Sequence, residues 1–321
     1  MLRPRLDLCV LALTVLAVAH GPSSAQSYPA KPIRIITSEA GGGADIASRL
    51  VAQGISGPLG QQVIVDNRRG GVIPGEVVSK APPDGYTLLL FGGSFWLQPF
   101  MQEHASYDPL KDFAPISLVL MSPSVLAIHP AVVANSVNEL IALVKAKPGA
   151  LNYAMGAPGS STHLAGELFK SMAKLDIVGV PFKGTGPSLN ALIAGEVQLS
   201  FPNATAVTPH IKSGRLRALG VASAQRSALA PDLPTLAASG LPGFETGTTL
   251  GVFAPAKTPA AVIAKLNTEI VRFLSNADVK ERFLKAGSEA VSSSPDELAV
   301  TVKADMERLG KVIKDGHIRS E

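Results

Sequence analysis

Residues 151–169, LNYAMGAPGSSTHLAGELF, decide the fold, because they read as a strand, a glycine-bearing loop and a helix in immediate succession. The apolar run stops at Gly156. Beyond the loop, Leu164, Leu168, Met172 and Leu175 recur at helical spacing. The same unit occurs about 120 residues earlier as IRIIT (33–37), SEAGGGAD (38–45) and IASRL (46–50), with Ile46, Leu50 and Val51 expected on one helical face. A loop that runs straight into a helix presents unpaired amides at the positive end of the helix dipole, which favours an anion. Two such loops, one per domain, would close on a ligand from opposite sides.

Around these units strand-like and helix-like runs alternate, which predicts α/β architecture with substantially parallel sheets. QQVIVDN (61–67), TLLLFGG (87–93), IVGVPF (177–182), VQLSFP (197–202) and RALGVAS (217–223) read as strands, and VNELIALVKAK (137–147) as a helix ended by Pro148-Gly149. SLVLMSPSVLAIH (117–129) is long for one strand and is interrupted by Ser-Pro-Ser. LPGFETGTTLGVFAPAKTP (241–259) reads as a connecting segment, and the remainder as three helices, 261–275, 277–287 and 295–315.

The N-terminus predicts export. Arg3 and Arg5 precede an apolar run, Leu8 to Ala19, that is too short to span a bilayer, and SSAQS offers a cleavage site after Ala25. Asp7 argues against lipid attachment at Cys9, the only cysteine, so a cleaved chain would carry no thiol and no disulfide. The formal charge of +4 is dispersed, with Arg68-Arg69 the longest basic cluster and one Trp and four Tyr available for stacking, so nucleic-acid binding is a poor reading.

Neither loop is a phosphate loop, since no Lys follows the glycines, and neither has the G-x-G-x-x-G register of a dinucleotide fold. GSSTH lacks the second glycine of a nucleophile elbow. A hydrolase using Ser160 or Ser161 with His163 would need an orienting carboxylate that the sequence does not nominate. His104, His129, His163, His210 and His317 never fall at H-x-x-x-H spacing, so no metal or other cofactor is expected. Ser160, Ser161 and Thr162 remain as hydrogen-bonding groups suited to a carboxylate, the alternative being ordinary N-capping.

The chain resembles the substrate-binding proteins of tripartite tricarboxylate transporters, the Bug receptors. The segments that carry the resemblance include LGQQVIVDNRRGG, SKAPPDGYTLLL, DPLKDFAPISLV, GSSTHLAGELF, VPFKGTGPSLNALIAGEV, PHIKSGRLRALGVASAQRS and PDLPTLAASGLPGFE, in that order over nearly the whole chain beyond the leader. The resemblance implies a type II periplasmic binding-protein fold: two α/β domains joined by hinge strands around a central ligand cleft. It also implies a small carboxylate ligand and delivery to a separate membrane permease. The chain departs from the family pattern at TSEA in the first loop, at Gly179 (usually His), Phe182 (usually Tyr), Ala191 (usually Asp) and Leu250 (usually Trp).

The expectation is therefore a non-enzymatic, monomeric periplasmic receptor for a small organic acid or amino-acid-like ligand, without cofactor and without nucleic acid. A receptor that reports ligand to a membrane sensor kinase is the alternative. Residues 1–25 would be the signal peptide, 26–125 and 245–321 the first domain and 126–244 the second, hinged near Ser122–Ser124 and Thr246–Leu250. The expected ligand residues are Ser38, Glu39, Ala40, Gly41 and Gly42 on the first loop and Gly159, Ser160, Ser161, Thr162 and His163 on the second. Phe182 joins them, with Ser94 and Asn203 at strand ends where α/β folds bind ligands. Turn chemistry beside Pro202 is the other reading of Asn203. Glu39, if it faces the cleft, would repel a second ligand carboxylate and favour an amino or hydroxyl group.

Overall fold

A computed structural model of the chain describes residues 28–38, 40, 43–68, 72–102, 106–156, 159–182 and 185–319. The expected signal peptide with Cys9, and Glu39, Gly41 and Gly42 of the first loop, lie outside the described residues. The first half runs β1 (Ile33–Thr37), α1 (Gly43–Leu59), β2 (Val63–Asn67), α2 (Ile73–Ser79), β3 (Thr87–Gly92), α3 (Gly93–Trp96), α4 (Gln98–Met101) and β4 (Phe113–Pro123). A second set follows: β5 (Val125–Ile128), α5 (Val137–Ala146), β6 (Asn152–Met155), α6 (Ser161–Ala173), β7 (Val178–Pro181), α7 (Thr185–Ala194), β8 (Leu199–Ser200), α8 (Ala204–Lys212) and β9 (Arg217–Val221). The chain closes with β10 (Gly247–Pro255), α9 (Ala260–Leu274), α10 (Ala277–Lys285), β11 (Glu289–Ala290) and α11 (Pro295–Asp315).

These strands form two sheets, ordered β11-β4-β10-β3-β1-β2 and β7-β6-β8-β5-β9. TLLLFG of β3 shows no alternation because all six residues are buried, as a strand flanked on both sides and covered on both faces requires. The sheets are mixed rather than largely parallel. β2-β1-β3 and β7-β6-β8 are parallel, whereas β4, β10, β5 and β9 pair antiparallel. The antiparallel strands include those by which the chain passes between the two sheets.

The Ser-Pro-Ser interruption marks that passage: β4 belongs to one sheet, β5 to the other, and Ser124 lies between them. The return segment is more than a connector, because residues 247–255 of the stretch 241–259 form β10, a central strand. At the crossing the backbone is stitched together: Ser124 N donates to Thr246 O (3.1 Å), Thr246 N to Ala222 O (2.9 Å) and Ala222 N to Ser124 O (2.7 Å). Ser124 also bridges Asn203. Gly247 pairs with Pro123, and a Cβ there would stand 2.5 Å from the Ser122 carbonyl oxygen, so a glycine is what lets the two passing strands lie side by side.

One apolar cluster runs through both halves. It joins Phe95, Trp96 and Phe253 beside the first sheet to Tyr153, Phe169, Phe201 and Phe244 in the second, by way of Leu298, Val302 and Leu309 on α11, which packs against α6. On α1 the expected face is displaced: Ile46 is 47% exposed, and Ala47, Val51, Ala52 and Ile55 are buried. Small residues let this helix approach the sheet and α9 closely, and Ile46 falls on the outer side.

Candidate ligand site

The loop between β6 and α6 is tied internally. Ser160 is the N-cap of α6, its Oγ accepting from His163 N at 3.4 Å, and it lies 3.2 Å from Thr162 Oγ1. Thr162 Oγ1 accepts from Gly156 N at 2.8 Å, and His163 Nδ1 accepts from Gly159 N at 3.1 Å. Burial lowers the His163 pKa; Glu167 opposes that and Lys170 adds to it, so the ring stays neutral with Nδ1 as an acceptor. Gly159 has φ +76° and a Cβ there would come within 2.5 Å of Met101 Sδ, which brings this loop directly against α4. What the loop leaves unspent is Ser161, at the first helical position, together with the first-turn amides other than that of His163, which Ser160 caps. No acidic residue stands in that turn.

The matching end of α1 is different. Asp45, 4% exposed, occupies its first turn, pairs with Arg49 and accepts from Asn67 Nδ2 (2.9 Å), which also donates to Ser38 O (2.7 Å). A carboxylate of the protein itself thus already answers the positive end of α1.

Between the two sheets lies a cavity of about 780 Å³. Ser38, Gly43, Ala44 and Ser94 line it from the first half, Gly159, Ser160, Ser161 and Asn203 from the second, and Thr246–Leu250 from the returning strand. Phe91, Trp96, Leu120 and Leu309 provide apolar walls. Among the described lining residues Asp305 is the one charged side chain. Its carboxylate accepts from Trp96 Nε1 (3.3 Å) and pairs with Arg308, which also reaches Glu245 (3.2 Å). Burial pushes the Asp305 carboxyl up, opposed by Arg308 and reinforced by Glu245.

Six of the expected ligand residues therefore meet at one cavity: Ser38, Ser94, Gly159, Ser160, Ser161 and Asn203. Thr162 and His163 do not line it; they are buried and brace the loop from behind. Among the described residues the His163 ring takes its hydrogen bond from the Gly159 amide and makes none to Ser160 or Ser161. Ala40 is exposed and outside the cavity. Phe182 is also outside it: its amide bonds Met155 O (2.8 Å) and its ring packs on the core around Leu189 and Val197.

Asn203 makes no side-chain cap on α8, and its Oδ1 is buried without a partner, so capping is not what it does here. Thr246, 6% exposed, likewise has an unpartnered Oγ1. Sequence reading missed Thr246 as a ligand residue and missed Asp305 altogether. The only signal for Asp305 is an acidic residue on the inner face of a long amphipathic helix, and such residues usually face solvent.

The chain matches the family described as the tripartite tricarboxylate transporter family receptor, TctC, over residues 47–318. It is 37% identical over 299 residues to the protein BugT of Bordetella pertussis, covering 92% of each chain. Among solved structures it is similar to an R. palustris protein with adipate (33% identity, TM-score 0.73, 91% of this chain and 99% of that one). It is also similar to MatC from Rhodopseudomonas palustris with bound malate (30% identity, TM-score 0.70, 89% and 100%). With two α/β halves around a central cleft and this match over most of its length, the chain belongs to the TctC family of tripartite tricarboxylate transporter receptors.

Proposed function

We propose that this chain is a periplasmic solute receptor that takes a small carboxylate into the cavity and delivers it to a membrane permease, without catalysing a reaction. The observation that carries this reading is the first turn of α6. Ser160 and Ser161 at its start line the cavity, the turn holds no acidic residue, and no cationic side chain is present among the described lining residues. A carboxylate there is held by amide and hydroxyl donors plus the helix dipole, which is sufficient for an anion. The adipate and malate bound by two solved relatives are small carboxylates, which agrees with this chemistry. The apolar leader with its cleavage site supports export to the periplasm.

The working division is residues 26–125 with 245–321 against 126–244. Ligand bridges the two parts and shifts an open–closed equilibrium towards closed. A thermal-shift screen of small mono- and dicarboxylates tests the core of the proposal: saturating ligand should stabilise the protein by roughly 2.7 kcal/mol at a hundredfold excess over Kd. No shift with any carboxylate overturns it. Uptake of the identified ligand by cells with and without this chain tests the delivery role.

A further inference from the structure

Besides the first turn of α6, the cavity lining carries acceptors, one of them charged. Asp305 stands there as the one charged group among the described lining residues, and it belongs to a cluster in which two carboxylates, Asp305 and Glu245, share the single guanidinium of Arg308. Arg308 itself does not line this cavity, so its charge reaches the ligand only from behind Asp305. Two further groups await partners independently of Asp305. Asn203 Oδ1 is a buried amide oxygen, an acceptor with no donor, and Thr246 Oγ1 is an unpartnered hydroxyl on a residue only 6% exposed. Leaving a buried acceptor empty is costly, so a ligand that brings donors to these atoms gains by it.

A second carboxylate, like those of adipate or malate, would meet a like charge and an amide oxygen there, both repulsive to it. An ammonium or a primary amide carries N–H donors of the kind that Asp305 and Asn203 Oδ1 accept. We infer that the ligand is a monocarboxylate whose other end carries N–H donors, received by Asp305 and Asn203. This deepens the carboxylate reading above and rests on it. The specificity comes as much from rejecting the diacid as from attracting the amine.

Calorimetric titration of the intact receptor with length-matched acids tests it: succinate against 4-aminobutanoate and succinamate, glutarate against 5-aminopentanoate, adipate against 6-aminohexanoate. The best donor-bearing acid should bind at least about tenfold tighter than its diacid. Asp305→Asn, which keeps an acceptor for Trp96, should narrow that ratio by about tenfold, mainly by admitting the diacid. Asn203→Ala should weaken the donor-bearing acid and leave the diacid nearly unchanged, and it decides the matter should Asp305→Asn not fold. A diacid that binds the unmodified receptor as tightly as its partner overturns this inference alone. So does a ratio that Asp305→Asn, or with that variant unfolded Asn203→Ala, leaves unmoved. Failure of every acid to bind overturns the carboxylate reading as well.

Discussion

Thr162→Val is the cleanest perturbation of the anion loop, because it exchanges one hydroxyl for a methyl at nearly constant volume. Thr162 is 7% exposed and its Oγ1 accepts the Gly156 amide at 2.8 Å in buried surroundings. Valine leaves that N–H without a partner, which costs about 1–3 kcal/mol. At roughly 2–4 °C per kcal/mol for a chain of this size, the melting temperature should fall by about 2–12 °C. Thr162→Ser keeps the acceptor and loses one buried methyl, about 0.8 kcal/mol, so it should be the milder change. Hydrogen exchange at the Gly156 amide supplies a local readout: slow in the unmodified protein and in the serine variant, faster in the valine variant. Should serine prove more damaging than valine, with Gly156 protection unchanged in both, then methyl packing holds the loop and the hydrogen-bond account is wrong.

Ser161→Ala removes a hydroxyl with no partner among the described residues. Stability should stay within about 0.5 kcal/mol, while carboxylate affinity measured by calorimetry falls about tenfold or more, as for a hydrogen bond to a charged group. The His163 pKa is depressed in the folded protein, so its contribution to stability is complete above about 6.5 and is lost as pH falls towards the folded value. Melting temperature should accordingly decline from pH 7 to 5, and His163→Asn, which retains an acceptor for Gly159, should flatten part of that decline. Gly247→Ala sets a Cβ 2.5 Å from the Ser122 carbonyl oxygen and 2.9 Å from Pro123 Cα, and should destabilise by about 1–3 kcal/mol in denaturant unfolding. An alanine variant as stable as the parent would show that the crossing strands separate freely.

Much of this architecture is legible in the chain because buried strands and glycine-bearing loops write themselves locally. TLLLFG, the Ser-Pro-Ser break and the three C-terminal helices are read correctly from neighbours in sequence. Errors arise where the third dimension decides. Ile46 looks like core until the helix turns its small residues inward. Residues 247–255 look like a connector because their Gly and Thr content suits a turn, yet β3 and β4 claim them as a central strand. At the site, the hydroxyls of GSSTH all look equally available, and only geometry separates Ser161 from Ser160 and Thr162, which satisfy the loop itself. Asp305 is remote from both loops in sequence, and nothing local marks it.

The repeat of strand, glycine loop and helix suggests two equivalent jaws, but the electrostatics divide them. α1 begins with its own buried carboxylate, Asp45, locked by Arg49 and Asn67, so its dipole is already answered. α6 begins without an acid, Ser160 capping the helix, and Ser160 and Ser161 line the cavity. A second anion subsite at α1 would have to compete with Asp45, which Arg49 and Asn67 hold in place. On the proposed reading the ligand's charge is oriented before the halves close, with its carboxylate at α6 and its N–H donors at Asn203 and Asp305. The same asymmetry accounts for a basic protein placing no cation among the described residues of its cleft. A fixed guanidinium there would bind either end of a diacid equally well, whereas a helix terminus facing an acid admits one orientation only.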